Sequence, residues 1–196
     1  YGPKCQGKPG LLDKDGEFRD LSGIVKDIDG AGLADLSAIR AAKIDSLPVV
    51  DKGVRIAQPV AKVGKFLCIG LNYSDHAAES GMPEPSEPII FMKAVSAIIG
   101  PNDDVYLPPT AKTGDWEVEL GIVIGKEARY VTKETALDYV AGACVVNDLS
   151  EREYQLERGG TWDKGKGCDT FGPFGPYLVT LDEVGDLNNL DLWLDL

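Results

Sequence analysis

From Val63 onward the chain alternates short apolar runs with Gly and Pro. The runs Phe66 to Leu71, Ile89 to Lys93, Val105 to Leu107, Trp116 to Ile124, Cys144 to Val146 and Tyr177 to Val179 read as strands, as does the alternating Leu190-Asp191-Leu192-Trp193-Leu194. Helices are few and short. Thr132 to Val140 starts on a capping Thr and has Gly142 just beyond its end, and Ser150 with Glu153 reads as a capping box opening a helix through about Glu157. Ahead of Val63, Lys14-Asp15-Gly16 is a hairpin signal, with helical patches over Ile24 to Ile28 and Leu33 to Ala42. Pro48 and Pro59 mark a boundary. The pattern predicts a strand-dominated α+β protein, with a small β-rich N-terminal domain over residues 1–60 and a larger domain over 61–196.

One run stands apart. In Asp115-Trp116-Glu117-Val118-Glu119-Leu120-Gly121-Ile122-Val123-Ile124-Gly125 the residues Val118, Leu120, Ile122 and Ile124 share one strand face, while Glu117 and Glu119 share the other. The run reads as buried, with the four apolar residues packing one side. The two acids then stand roughly 6.6 Å apart, a costly arrangement for like charges unless something positive lies between them. An exposed edge strand with both acids in solvent is the alternative.

Charge narrows the partners. A net charge of −12 with no basic tract argues against binding nucleic acid or an anionic membrane, both of which need basic surface. No apolar run is long enough to span a bilayer and no signal peptide opens the chain, so a cytoplasmic setting is expected. The four cysteines are scattered, with no C-x-x-C pair, and read as reduced thiols. A single histidine, His76, rules out imidazole-rich metal sites. Any metal must be held mainly by oxygen or sulfur.

Asp148 ends the apolar run Ala143-Cys144-Val145-Val146-Asn147 and joins Glu117 and Glu119 as a third acid at a strand. Three such carboxylates suit a hard divalent ion such as Mg2+, Mn2+ or Ca2+; Asp148 reads equally as a turn former. His76 and Glu79 are spaced i, i+3 in a short helix running from Ser74 toward Gly81, where a carboxylate could orient an imidazole base, or form a surface ion pair. The proline-rich Met82 to Pro88 beyond them looks like the edge of a lid. Arg152 and Gln155 share a helix face, suited to gripping a carboxylate or to solvent. Gly160 to Gly167 mimics a phosphate-binding loop but has Gly167 where Ser or Thr is needed and no apolar strand before it. Lys166 therefore needs another role.

Taken together and in order, several motifs resemble the fumarylacetoacetate hydrolase family. They are Gly70-Leu71-Asn72-Tyr73 followed by His76 and Glu79, Phe91-Met92-Lys93, Glu117-x-Glu119, Asn147-Asp148-Leu149-Ser150-x-Arg152-x-x-Gln155, and Trp162-x-x-x-Lys166-x-x-Asp169 leading to Gly175-Pro176. The resemblance implies a mixed β-roll or barrel, with a catalytic domain over 61–196, and a homodimer. It implies Glu117, Glu119 and Asp148 as ligands of Mg2+ or Mn2+, and His76 with Glu79 as a water-activating dyad on a lid. It makes Lys166 the cation at the reacting oxygen and gives Arg152, Gln155 and Lys93 to the substrate, a small 2-oxo acid.

The implied activity is metal-dependent hydrolysis of a carbon–carbon bond in a 2,4-diketo acid, giving pyruvate and a carboxylic acid. The alternatives are a lyase, decarboxylase or isomerase working at the same site, or a non-catalytic metal-stabilised protein. The opening Tyr1-Gly2-Pro3-Lys4 and Lys8 to Asp13 resemble the bacterial subgroup of 2,4-diketo-3-deoxy sugar-acid hydrolases, many of them labelled ureidoglycolate lyase. The chain departs from the family twice. The further aspartate that fumarylacetoacetate hydrolase carries before its histidine is missing near Ile69, which would leave a coordination place to water or substrate. Residues end at Leu196, where family members continue through an Asn-Gly turn into further strands, so the expected barrel is incomplete at its C-terminal part.

Overall fold

The Lys14-Asp15-Gly16 turn closes the first hairpin in the computed structural model, which describes residues 1–79 and 81–196. Strand β1 (Gly10–Leu12) pairs antiparallel with β2 (Phe18–Asp20). Gly16 takes φ +80°, a region that L side chains rarely enter. Asp13 fixes the turn from within: it accepts the Asp15 and Glu17 backbone N–H groups and the Arg19 Nε–H at 2.7 Å. The chain then makes two short helices, α1 (Gly30–Ala34) and α2 (Ser37–Ala41). One continuous helix from Leu33 to Ala42 does not form, because the Asp35 carboxylate accepts the Ser37 N–H and its backbone turns extended. No helix covers Ile24 to Ile28.

Strand β3 (Phe66–Gly70) leads into α3 (Ser74–Glu79) and pairs antiparallel with β4 (Ile89–Lys93) along its full length. Three further pairs complete the strands. Strand β5 (Ile98–Ile99) runs parallel to β10 (Gly172–Pro173), β6 (Gly114–Asp115) is antiparallel to β9 (Ser150–Glu151), and β7 (Val118–Ile124) is antiparallel to β8 (Val140–Asn147). Short helices α4 (Arg152–Leu156), α5 (Asp163–Lys166) and α6 (Leu181–Val184) decorate them. The result is a strand-rich α+β fold of two-stranded ladders, and among the described residues the ladders do not close into a barrel.

The core gathers Leu33, Val60, Cys144, Val146 and Phe174, with Ile28, Leu36, Phe66 and Val123 against it. Residues from the first sixty positions thus share one core with β7 and β8.

Several expected elements differ, each for a physical reason. In β7 the inward face is the acidic one. Gly121 lies against Val146 and Cys144, and Val123 packs on the core, while Ile122 and Ile124 are 43% and 54% exposed. Alternation defines two faces but does not say which is inside. The helix expected over Thr132 to Val140 is only a 3-10 turn, Ala136–Tyr139, and Gly142 lies inside β8. That glycine answers a packing need, since a Cβ there would fall on the Val179 carbonyl. The Ser150–Glu153 capping box does not form. Thr113, forty positions upstream, accepts the Glu153 N–H at 2.8 Å, and Ser150 turns to the Asp148 carbonyl. Val105 to Leu107 and Leu190 to Leu194 are not strands, and Tyr177 to Val179 contributes a single bridge from Val179 to Ala143.

Candidate active site

Glu117 enters β7, Glu119 lies within it opposite Val146, and Asp148 leaves β8. The backbone joins the first and last: the Asp148 N–H donates to the Glu117 carbonyl at 2.9 Å, and Asn147 Oδ1 accepts the Glu117 N–H. Three cations face these acids. Lys93, closing β4, donates from Nζ to Asp148 Oδ1 at 2.5 Å and to the Leu149 carbonyl. Lys166, closing α5, donates to Glu117 Oε2 at 2.5 Å and Asp148 Oδ2 at 2.8 Å, and its ammonium stands 5.2 Å from the Phe91 ring centre. Both lysines are 2% exposed. Arg152, opening α4, donates to Glu117 Oε1 at 2.5 Å, to Asp115 Oδ2 and to Gln155 Oε1. Of the glutamate pair, Glu117 takes its positive partners from Lys166 and Arg152, while Lys93 serves Asp148 and none of the three pairs with Glu119.

Local packing explains why Lys166 reaches this point. Helix α5 presses directly on α4 because residue 165 is glycine; a Cβ there would stand 2.6 Å from the Gln155 backbone nitrogen. Of the glycines that imitate a phosphate loop, Gly165 serves close helix packing, while Gly160 takes φ +77° with open space around it. Helix α4 is held in turn by Glu151, a fully buried carboxylate that accepts the Thr113 N–H and hydroxyl. Burial alone would push the Glu151 carboxyl up, but these hydrogen bonds outweigh it and hold the carboxyl below its ordinary value.

Glu119 differs from its neighbours. Among the described residues it forms no ion pair, and burial pushes its carboxyl up to about 7; a hydrogen bond from Tyr73 pulls it down, and the charges of Glu117 and Asp148 push it further up. The Tyr73 hydroxyl also accepts the Leu120 N–H at 3.1 Å, tying the segment before α3 to β7. Burial lowers the pKa of Lys93 against the pull of Asp148. Burial also raises the Cys68 thiol to about 12, with the Asp148 charge adding to the shift.

Glu117, Glu119, Asp148, Arg152, Gln155, Lys166 and His76 line one trough of about 890 Å³. Lys93 meets it through Asp148. His76 is exposed at the trough, and Glu79 is exposed on the same helix. Among the described residues no hydrogen bond or ion pair joins His76 to Glu79, so the i, i+3 spacing does not by itself produce the expected contact. Ser80 lies outside the described residues. Sequence reasoning gave no role to Asp115, Thr113, Glu151 or Tyr73. Only Tyr73 carried a signal, as part of the Gly70 to Tyr73 motif.

As placed, no three Asp, Glu, His or Cys side chains among the described residues form a ready metal cluster. The donor chemistry nevertheless fits a hard cation. Three carboxylates face one another, one lacks a cationic partner, and the Lys166 ammonium stands between the other two.

The fold is strand-rich α+β, with buried carboxylates and lysines beside an open trough. The family model for the fumarylacetoacetate hydrolase C-terminal domain matches residues 65–196. A Burkholderia lata protein bearing a provisional hydrolase name is 58% identical over 198 residues, covering 100% of this chain and 70% of that protein. The solved fumarylacetoacetate hydrolase of Exiguobacterium antarcticum superposes with TM-score 0.75 at 29% identity, over 93% of this chain and 65% of that one. A Mycobacterium abscessus structure described as a 2-hydroxyhepta-2,4-diene-1,7-dioate isomerase gives TM-score 0.71 at 32% identity, over 88% and 60%. The chain belongs to the fumarylacetoacetate hydrolase family, among enzymes of hydrolase and isomerase type. No helix among the described residues is long and apolar enough to cross a membrane.

Proposed function

We propose that the protein hydrolyses a carbon–carbon bond in a 2,4-diketo acid of acylpyruvate type, with a divalent metal, Mg2+ or Mn2+, held by Glu117, Glu119 and Asp148. The observation that carries this reading is the convergence of those three carboxylates with Lys166 on one trough. When bound, the metal would supply Lewis-acid polarisation of the 2-oxo acid. The chain's own residues supply the rest. Arg152 and Gln155, hydrogen-bonded to each other at 2.9 Å, would donate to the substrate carboxylate. His76, at the open edge of the trough, takes a proton from water as its oxygen adds to the distal carbonyl, and Lys166 donates to the oxygen that becomes negative. The bond between the distal carbonyl carbon and the adjacent CH2 then breaks. The acyl part leaves as a carboxylic acid, and the CH2 carbon keeps the electron pair and takes up a proton, giving pyruvate. Lys93, at the closed end, holds Asp148 in place.

A second reading, isomerisation or decarboxylation at the same site, is favoured by one observation. His76 and Glu79 are not joined, and a reaction without attacking water does not need them joined. The likeness to the Mycobacterium abscessus isomerase supports it too. Turnover of an acylpyruvate in oxygen-18 water separates the two. Hydrolysis places one label in the new carboxylate, and product without that label refutes it. The proposed setting is a cytoplasmic homodimer acting on a small molecule, supported by the four free cysteines and by exposed Leu67, Ile69, Ile90 and Met92 paired across β3 and β4. A single-chain mass in sedimentation would refute the dimer.

A further inference from the structure

The cations at the site pose a problem of charge. Lys93, Lys166 and Arg152 already pair with Asp148, Glu117 and Asp115, and among the described residues Glu119 has no cationic partner. A divalent ion added to these three cations and four acids would leave the set with a surplus positive charge in a largely buried place, which is costly unless a resident cation lets go of its carboxylate. Lys93 and Lys166 have nowhere to go, since their side chains are 0% and 3% exposed. Arg152 is 29% exposed and has a second anion. Its Nε and Nη2 reach Asp115 Oδ2 at 2.8 and 2.7 Å while Nη2 also reaches Glu117 Oε1 at 2.5 Å. Its remaining arm rests on Gln155 at 2.9 Å.

Asp115 is placed for this by the backbone. It lies opposite Ser150 in the β6–β9 ladder, and the Arg152 N–H donates to the Thr113 carbonyl two residues before Asp115. The Thr113–Glu151 hydrogen bonds fix that ladder from the buried side. The guanidinium can therefore lose Glu117 and keep two partners, which an ammonium with a single reach could not do.

The geometry points to Arg152 as an exchangeable counter-ion of Glu117, with Asp115 as the positioning residue that retains it when a divalent cation takes the carboxylate. Metal binding and the freeing of Arg152 for a substrate carboxylate are then one coupled event. This rests on the reading that Glu117 and Glu119 hold the metal.

The test measures Mn2+ binding to the full-length protein without substrate, from loss of the free-ion paramagnetic resonance signal. Removing the competing cation in Arg152→Gln lowers the Mn2+ dissociation constant about tenfold, the worth of one charge-assisted hydrogen bond. Arg152→Lys keeps the charge but loses the fork, and falls between the parent and Arg152→Gln. Asp115→Asn leaves Arg152 with Glu117 as its only anion and raises the constant about threefold.

Unchanged or weaker binding in Arg152→Gln overturns the exchange. So does an Arg152→Lys variant equal to the parent beside a tightened Arg152→Gln, because long-range charge alone would then account for the change. Should Arg152→Gln fail to fold, Asp115→Asn decides, and unchanged or tighter binding overturns the proposal. Glu119→Gln tests the underlying reading separately. If it binds Mn2+ as tightly as the parent, the carboxylate site itself is wrong. If it loses Mn2+ while Arg152→Gln does not tighten, the site stands and only the exchange fails.

Discussion

Two carboxylates face Lys166 in its buried position, and Glu117 and Asp148 take it as a shared partner. Replacing it by Met preserves most of the volume and leaves the acids short of a cation. Removing one partner of a buried ion pair costs about 3 kcal/mol or more, so the unfolding free energy of Lys166→Met from urea titration should fall by that amount. Added Mn2+ should restore more stability to the variant than it gives the parent, since the ion replaces the missing charge. A loss below about 1 kcal/mol would show that Lys93 and Arg152 suffice. At this scale the sequence was partly legible. The i, i+3 spacing of Arg152 and Gln155 became a real hydrogen bond, whereas the same spacing of His76 and Glu79 did not, because both side chains are exposed and nothing holds them together. Asp115 and Thr113 were invisible because their partners lie thirty-five or more positions away, beyond the reach of any local pattern.

Among the elements, β4 matches its sequence signal end for end, as an apolar run that starts after Pro88 and ends on the charged Lys93. The β7–β8 ladder was legible as strands but not in its orientation. The acidic face turns inward since the cations beside it come from distant parts of the chain, from β4 before it and from α4 and α5 after it. Gly142 shows the same limit: it suggested a helix stop, but the backbone of Val179 comes too close for any side chain. Ala143 and Val179 exchange both backbone hydrogen bonds at 2.9 Å, and a Cβ on Gly142 would meet the Val179 carbonyl carbon at 2.9 Å. Gly142→Ala must push that segment off β8. Overpacking of this kind costs about 1–3 kcal/mol, readable as a lower urea midpoint. Gly64→Ala is the control, with nothing within 4 Å of its Cβ, and should change stability by less than about 0.5 kcal/mol. Equal effects at the two positions would deny the close approach its importance.

For the whole molecule the question is whether residues 1–60 stand as a separate unit, as the proline-marked boundary suggests. Their contacts argue for one cooperative fold. Leu33 and Val60 belong to the core of β8, and Arg55 joins the Gly2 carbonyl on one side to Asp103 on the other, at 2.5 Å. The Arg40–Asp182 pair spans further but is exposed on both sides and contributes little. Arg55 holds the Asp103 carboxyl below its ordinary value of 3.8, with burial opposing and the Gly100 N–H assisting. A depressed folded pKa stabilises fully above the unfolded value and fades as pH falls through the folded one. Asp103 thus supports the fold at neutral pH and withdraws that support below about pH 4. Asp103→Asn should melt lower than the parent at pH 7 and show a shallower fall in Tm between pH 4 and pH 2. Asp13, depressed by the Glu17 N–H and by Arg19, keeps part of the acid sensitivity in place. If the shared core governs, Asp103→Asn shifts the whole transition, with far- and near-ultraviolet circular dichroism still coincident. An early partial transition confined to the variant would instead show that Arg55–Asp103 was clamping an independent N-terminal unit onto the rest.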